Sequence, residues 1–336
     1  MTPAWIFALA APAALAWGVI AALRASAWSG ALADHPNERS LHTRPTPRIG
    51  GVGLLAAALP CMAWLGPPPL MPTLAAASAL ALVSFADDVR SLPIAARLAA
   101  HGAAAVAAYL SIASVPASAA EWLAAGAAVL AVAWMTNLYN FMDGADGLAG
   151  GMAGIGFGTL ALGAAQAGDG PLALACTALA SASLGFLAHN FPPARVFMGD
   201  AGAIPLGFLA AALGLYGLRS GAWPPEFPLL AFSPFIVDAS VTLLRRIARG
   251  EPFWKAHRGH HYQRLVLAGW PRLRLALAAY GLMLAAGISA LGGRTADAMT
   301  RSVIILGWAA LYAVLLMAIN RSVRRSAAAS TTTPRG

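Results

Sequence analysis

Charge is scarce in this sequence. Asp, Glu, Lys and Arg make up 10% of its 336 residues, against about 25% in ordinary soluble domains. The deficit excludes a soluble globular fold, because uninterrupted apolar runs of about 20 residues, the length that spans a bilayer core, recur along the chain. Short alternating apolar and polar segments are missing too, which excludes an outer-membrane barrel. Cysteine is nearly absent. Cys61 and Cys176, the two present, both fall inside apolar runs, so they read as small hydrophobes rather than as a disulfide framework or a thiolate metal site. No basic residue precedes the first apolar run, residues 4–23, and Arg24 follows it. Despite the "ASA" at 25–27, that order suits a first membrane helix with its N-terminus outside rather than a cleaved leader.

What is there is an all-α, polytopic membrane protein. Apolar spans are expected near 4–23, 49–66, 70–86, 97–114, 121–137, 149–168, 171–190, 202–219, 226–245, 272–291 and 301–320, about eleven transmembrane helices in one domain over residues 1–320. Residues 321–336 read as a basic, disordered cytoplasmic tail. The net charge of +9 does not call for nucleic acid. Nineteen of the 22 basic residues fall on one alternating set of connections, leaving Arg219, Arg294 and Arg301 on the other. By the positive-inside rule the basic set is cytoplasmic, the N-terminus periplasmic and the C-terminus cytoplasmic, with the basic excess attracted to anionic membrane lipids.

The few polar residues are clustered, and the clusters fall on the basic face. "NLYNFMDGADGLAGG", residues 137–151, sets Asn137, Asn140, Asp143 and Asp146 among helix-breaking glycines. "SFADDVRSLP" ends the third span with Asp87 and Asp88 adjacent, and two such carboxylates repel unless a cation sits nearby. Magnesium suits them, since it takes a few carboxylates and fills its shell with water and phosphate oxygens; a helix-capping pair is the plainer alternative. In "RVFMGDAGAIPLG", Asp200 stands between Gly199 and Ala201-Gly202 at the start of a span, where backbone amides can face phosphate or an Asp can cap the helix. "KAHRGHHYQRLVLAGW" gathers Lys255, His257, Arg258, His260, His261, Gln263 and Arg264, a donor set that favours phosphate over metal. "HPNERSLHTRPTPRIGGVG" supplies Thr46 and arginines from the first connection. Carboxylates for a divalent cation, glycines for close approach and cationic donors point to pyrophosphate chemistry at the membrane surface.

These motifs, in this order, resemble the polyprenyl-phosphate N-acetylhexosamine-1-phosphate transferases, a superfamily that includes phospho-N-acetylmuramoyl-pentapeptide transferase and the enzymes that initiate O-antigen and enterobacterial common antigen assembly. The resemblance covers about residues 1–320. It implies a bacterial inner-membrane, multi-pass enzyme with its active site facing the cytoplasm. Its partners would be undecaprenyl phosphate, a UDP-sugar and membrane lipids, with a homodimer as a further option. Its product would be undecaprenyl-diphosphate-sugar with release of UMP, and its cofactor Mg2+, with Mn2+ as a substitute. It also implies that Asp87, Asp88, Asp200, His257 and His260 are catalytic, with the metal on Asp200 and Asp88. Substrate contacts would come from Asn140, Asp143, Asp146, Phe197, Arg258, His261, Arg264 and Thr46. The sequences "HRGHHYQRL" and "PNERSLHTRPTPRIGG" look like the O-antigen and surface-polysaccharide branch rather than the peptidoglycan branch.

A lipid phosphate is already anionic near neutral pH, its second pKa being about 6, so positioning outweighs general-base catalysis by Asp87. Rival readings are a secondary transporter, an intramembrane aspartyl protease and a non-catalytic lipid scaffold. The clustering of acids at one face disfavours the transporter. Asp238 is the one acid inside a span, a functional suspect or a partner for Arg245 or Arg246.

Overall fold

The computed structural model describes residues 2–36, 41, 44–113, 115–252 and 257–332. Lys255, Glu38 and Arg39 of the motifs above lie outside the described residues. Helices dominate: α1 (Pro3–Ala25), α2 (Trp28–Ala31), α3 (Gly50–Leu65), α4 (Met71–Arg90), α5 (Ile94–Ile112), α6 (Ala119–Phe141), α7 (Leu148–Gln166), α8 (Gly170–Asn190), α9 (Asp200–Arg219), α10 (Glu226–Ala231), α11 (Ser233–Ala248), α12 (His261–Leu267), α13 (Arg272–Gly293) and α14 (Ala298–Thr332). The one sheet among the described residues pairs β1 (Ala33–Asp34) with β2 (Thr46–Pro47), antiparallel, Asp34 opposite Thr46.

All eleven apolar stretches fall in helices, but nine helices among the described residues are long and apolar enough to cross a membrane. The two exceptions have physical causes. α3 has 16 residues, about 24 Å at 1.5 Å per residue, short of a hydrocarbon core of about 30 Å. The stretch 226–245 is broken at Phe232, between α10 and α11, where Pro234 removes a backbone donor. At the other end of the chain, α14 continues past residue 320 to Thr332.

α7, α8 and α9 form the buried centre. α9 packs against α4, α6 and α3, α7 against α8 and α13, and α1 against α8 and α3. The outer helices present Leu82, Leu123, Leu130, Ile288 and Leu306, each more than two-thirds exposed, as expected of a lipid-facing surface. Where water offers no hydrophobic drive, small residues let helix backbones approach. Gly51 of α3 and Gly202 of α9 show this: a Cβ on either would collide with the backbone of the other. That crossing brings the start of α3 to the start of α9, and the site lies beside it.

Candidate active site

Five connections meet at one end of the bundle. Each is held there by backbone chemistry at a helix terminus. α4 stops at Arg90 because Ser91 is left-handed, φ 50°, and Pro93 follows. The turn lets Asp87 Oδ1 accept from the Leu92 amide at 2.6 Å, while Oδ2 accepts from Arg97 at 2.9 Å. Asp88 points the other way. Its Oδ2 accepts from the Ala201 amide at 3.1 Å, capping α9 from a neighbouring helix. Gly199, φ 74°, occupies the N-cap position of α9 and offers no side-chain cap of its own. Residues 197–198 run along the start of α3: Phe197 N donates to Pro47 O at 2.8 Å, and the Gly50 and Gly51 amides donate to Phe197 O and Met198 O at 2.9 Å.

These connections enclose a cavity of about 270 Å³, lined among others by Asp34, Arg48, Asn140, Asp143, Asp146, Asn190, Phe197, Asp200 and Gln263. Asn140 hydrogen-bonds Asp200. Arg48 is the shared cation: Nη2 lies 2.6 Å from Asp34 Oδ1 and Nη1 3.8 Å from Asp88 Oδ1. Asp143, in the loop after α6, feels burial first and then the carboxylates of Asp200 and Asp88, which together push its carboxyl well above the usual range. Three acids far apart in sequence thus act on one another across a single space, with Arg48 opposing them.

The site residues expected from sequence divide into three groups. Asn140, Asp143, Asp146, Phe197 and Asp200 line the cavity, with Asp88 joined to it through Arg48 and the start of α9. Asp146 is also structural, accepting from the Ala194 amide at 3.1 Å and pairing with Arg272 at 3.3 Å. Asp87 is paired with Arg97, at 2.9 Å.

The remaining expected residues are elsewhere. Thr46 is buried in β2, donating to Arg44 O at 3.1 Å. Arg258 is exposed. His257 stacks on His260 with ring centroids 4.9 Å apart; burial, then the charges of His260 and Arg246, pull its pKa down to about 4. His260 sits at the N-cap of α12, where its amide donates to Gln263 Oε1 at 3.3 Å, and its Nδ1 stands 3.8 Å from Asp238 Oδ1. His261 is anchored to Asp238: Asp238 Oδ1 contacts His261 Nδ1 at 2.9 Å and accepts from its amide at 2.8 Å, and Oδ2 accepts from the Tyr262 amide at 3.1 Å. The acid inside the span therefore fixes the start of α12, and Arg245 reaches His261 Nε2 at 2.7 Å rather than Asp238 itself. Tyr262 OH donates to Phe141 O at 3.0 Å, which docks α12 on the end of α6. From the histidine loop, Gln263 is the residue that lines the cavity. Asn137 serves packing, meeting His101 at 3.1 Å.

Sequence reasoning did not single out Asp34 or Asn190 as site residues, and it carried Arg48 and Gln263 only as members of donor clusters. Asn190 carries the clearest missed signal, a carboxamide ending an apolar helix. It accepts from the Gly147 amide at 2.9 Å and donates to Val196 O at 2.8 Å, tying two cavity walls together.

No group of three or more His, Cys, Asp or Glu is arranged to hold a metal among the described residues. The donor chemistry nonetheless fits magnesium, which binds proteins through one or two carboxylates and completes its shell with water and phosphate. Asp88 feels the Asp200 carboxylate and accepts from the Asp200 amide, and Arg48 compensates both acids only in part, so the two are hard-oxygen donors side by side.

Residues 70–218 match the profile of glycosyl transferase family 4. The chain is 30% identical over 200 residues, 59% of its length and 53% of the relative's, to a probable undecaprenyl-phosphate N-acetylglucosaminyl 1-phosphate transferase of Bacillus subtilis. It is 33% identical over 176 residues, 48% of its length and 44% of the relative's, to a phospho-N-acetylmuramoyl-pentapeptide-transferase of Acaryochloris marina. A decaprenyl-phosphate N-acetylglucosaminephosphotransferase of Mycobacterium leprae aligns over 84% of the chain and 83% of its own length at 26% identity. In the first two of these matches the chain spans about half the length of the relative. The matched segment contains the aspartate pair, "NFMDGADG" and "FMGD", and these motifs and matches make the chain similar to the polyprenyl-phosphate hexosamine-1-phosphate transferase superfamily.

Proposed function

We propose that the protein transfers an N-acetylhexosamine 1-phosphate from a UDP-sugar to undecaprenyl phosphate, releasing UMP and initiating O-antigen or another envelope polysaccharide. The observation that carries this reading is the meeting of Asp88, Asp143 and Asp200 with Arg48 and Asn140 around one cavity at an end of the bundle. It lies in a bacterial inner membrane with the cavity toward the cytoplasm, an orientation that rests on the distribution of basic residues.

In the reaction, an oxygen of the lipid phosphate attacks the phosphorus that bears the sugar. The bond from that phosphorus to the bridging oxygen breaks, and the electron pair leaves on UMP. Magnesium held by Asp200 and Asp88 supplies neutralisation of the pyrophosphate when bound. Arg48 adds a guanidinium beside the same phosphates, and Asn140 fixes the Asp200 carboxylate. Phe197 offers a ring to the uracil, and Asp143 and Asp146 border the nucleotide. Asp87, committed to Arg97 and the Leu92 amide, positions the turn that aims Asp88. His257, with a pKa of about 4, is neutral at pH 7 and acts as a hydrogen-bonding group rather than a cation.

A panel assay tests this. Purified protein with undecaprenyl phosphate, UDP-N-acetylglucosamine, its 6-deoxy relatives and UDP-N-acetylmuramoyl-pentapeptide is read for UMP release with and without magnesium. The proposal expects release with a UDP-N-acetylhexosamine that EDTA abolishes. Release with the pentapeptide donor alone favours the peptidoglycan reading, as the 33% match to such an enzyme would suggest. Substrate accumulation in vesicles without UMP release favours a transporter.

A further inference from the structure

A second cavity, of about 420 Å³, is separated from the first by α12: Gln263 lines one and its neighbour Arg264 the other. Five arginines line this second space from three helices and the end of one of them: Arg245 and Arg246 of α11, Arg249 just beyond it, Arg264 of α12 and Arg324 of α14. Against them stands one lining carboxylate among the described residues, Glu251, at 2.9 Å from Arg246 and 3.8 Å from Arg249. The other contacts are to a carboxamide, an imidazole and, from Arg246, the Pro252 carbonyl at 2.8 Å. Arg264 donates to Asn320 Oδ1 at 2.6 Å, and Arg245 lies 2.7 Å from His261 Nε2. The Nε of Arg246 is buried with no partner among the described residues. Arg264 is held below the usual guanidinium range, first by burial and then by the charges of Arg245 and Arg249. Converging like charges of this kind cost stability unless an anion joins them, and planar guanidinium forks match phosphate oxygens in pairs.

The location narrows the source of that anion. Leu244 and Ile247 of α11 and Met317 of α14 are at least half exposed within two turns of the lining arginines. The cavity therefore sits where apolar helix surface gives way to arginine, the level of headgroup phosphates. We propose that it is a phosphate-binding site distinct from the site of transfer, filled by the phosphate of an anionic lipid headgroup or by free phosphate. Because Arg264 and the Arg245–His261 contact belong to α12, an occupant braces the helix that presents Gln263 to the first cavity. The inference does not depend on which sugar is transferred, or on whether transfer occurs.

The test uses the full chain in neutral detergent micelles, titrated separately with phosphatidylglycerol, phosphatidylcholine and inorganic phosphate, with native mass spectrometry and thermal shift as readouts. The variant Arg249→Gln/Arg324→Gln removes two exposed lining arginines. Arg321→Gln/Arg325→Gln removes the same charge from nearby positions that do not line the cavity. Saturable binding of one phosphate group is expected, weakened about 30-fold in the first variant by the usual worth of two arginines near a membrane surface and changed less than about threefold in the second. Without added phosphate, the first variant is expected to melt no lower than the parent, since it relieves repulsion. Binding of phosphatidylglycerol but not inorganic phosphate identifies a lipid headgroup; binding of both with competition identifies phosphate in general. No saturable binding, or equal weakening in both variants, overturns the proposal.

Discussion

The backbone amide of Ala201 donates to Asp88 Oδ2 at 3.1 Å, so the last turn of α4 caps the first turn of α9. One carboxylate thereby satisfies an orphan amide at the positive end of a helix and stands beside Asp200. Two substitutions separate these roles. Asp88→Asn keeps an acceptor for the amide and loses the charge; UMP release is expected to fall about 100-fold or more with little change in melting temperature. Asp88→Ala loses both, and its stability is expected to drop by about 1 kcal/mol, the worth of a cap. Equal activity in the Asn variant and the parent would remove Asp88 from the metal site.

Arg48 bridges Asp34 and Asp88. Arg48→Gln is expected to lower kcat/KM for the UDP-sugar about tenfold or more, the scale of a charge-assisted hydrogen bond to phosphate. Arg48→Lys is expected to recover part of it. Steady-state kinetics at saturating magnesium check both.

Gly202→Val tests the crossing that assembles the site. The new side chain meets the Gly51 backbone, and overpacking of this kind costs about 1–3 kcal/mol. Gly158→Ala, where nothing lies within 4 Å of the added carbon, is the matched control and is expected to be neutral or stabilising. Thermal melting of both variants decides the point.

Asp238→Asn removes the charge that holds the His261 ring and two amides at the start of α12. A hydrogen bond to a charged group is worth about 1.5–3 kcal/mol. The expectation here is local loosening: faster hydrogen exchange over residues 257–264, with α7–α9 unchanged. Slowed turnover should accompany it, through displacement of Gln263.

His257 yields a pH dependence. Its folded-state pKa is lowered to about 4, below the unfolded value of about 6.5. Between those values the unfolded chain binds more protons than the folded one, so its contribution lowers stability as pH falls from about 6.5 toward 4. His257→Gln is expected to flatten the melting-temperature profile across that window and leave it unchanged above pH 7.

Why some of this was legible and some was not can be argued from particular residues. The aspartates of "FADD", "NFMDGADG" and "FMGD" stand out because an apolar chain has few reasons to carry acids, so composition alone isolates them. The histidine loop stands out for the same reason, but its members do not act together. Its members face different spaces: Gln263 lines the first cavity, His261 is held by Asp238, and Arg264, bonded to Asn320, lines the second cavity. A cluster in sequence is split by helical geometry, since neighbours in α12 point to different sides. The break at Phe232 was hidden because α10 and α11 are apolar enough to read as one span.

By itself the sequence determined the helical, membrane-spanning class of the chain, since desolvating so many apolar side chains in segments of this length leaves few alternatives, and it marked the acids that stand apart from that background. Only the tertiary structure decided which of them meet, that Arg48 stands among them and that α12 divides two cavities. Those outcomes depend on contacts between residues remote in the chain, such as Gly51 with Gly202 and Asp88 with Ala201, whose energies come from packing and capping across helices and leave no periodic trace along the sequence.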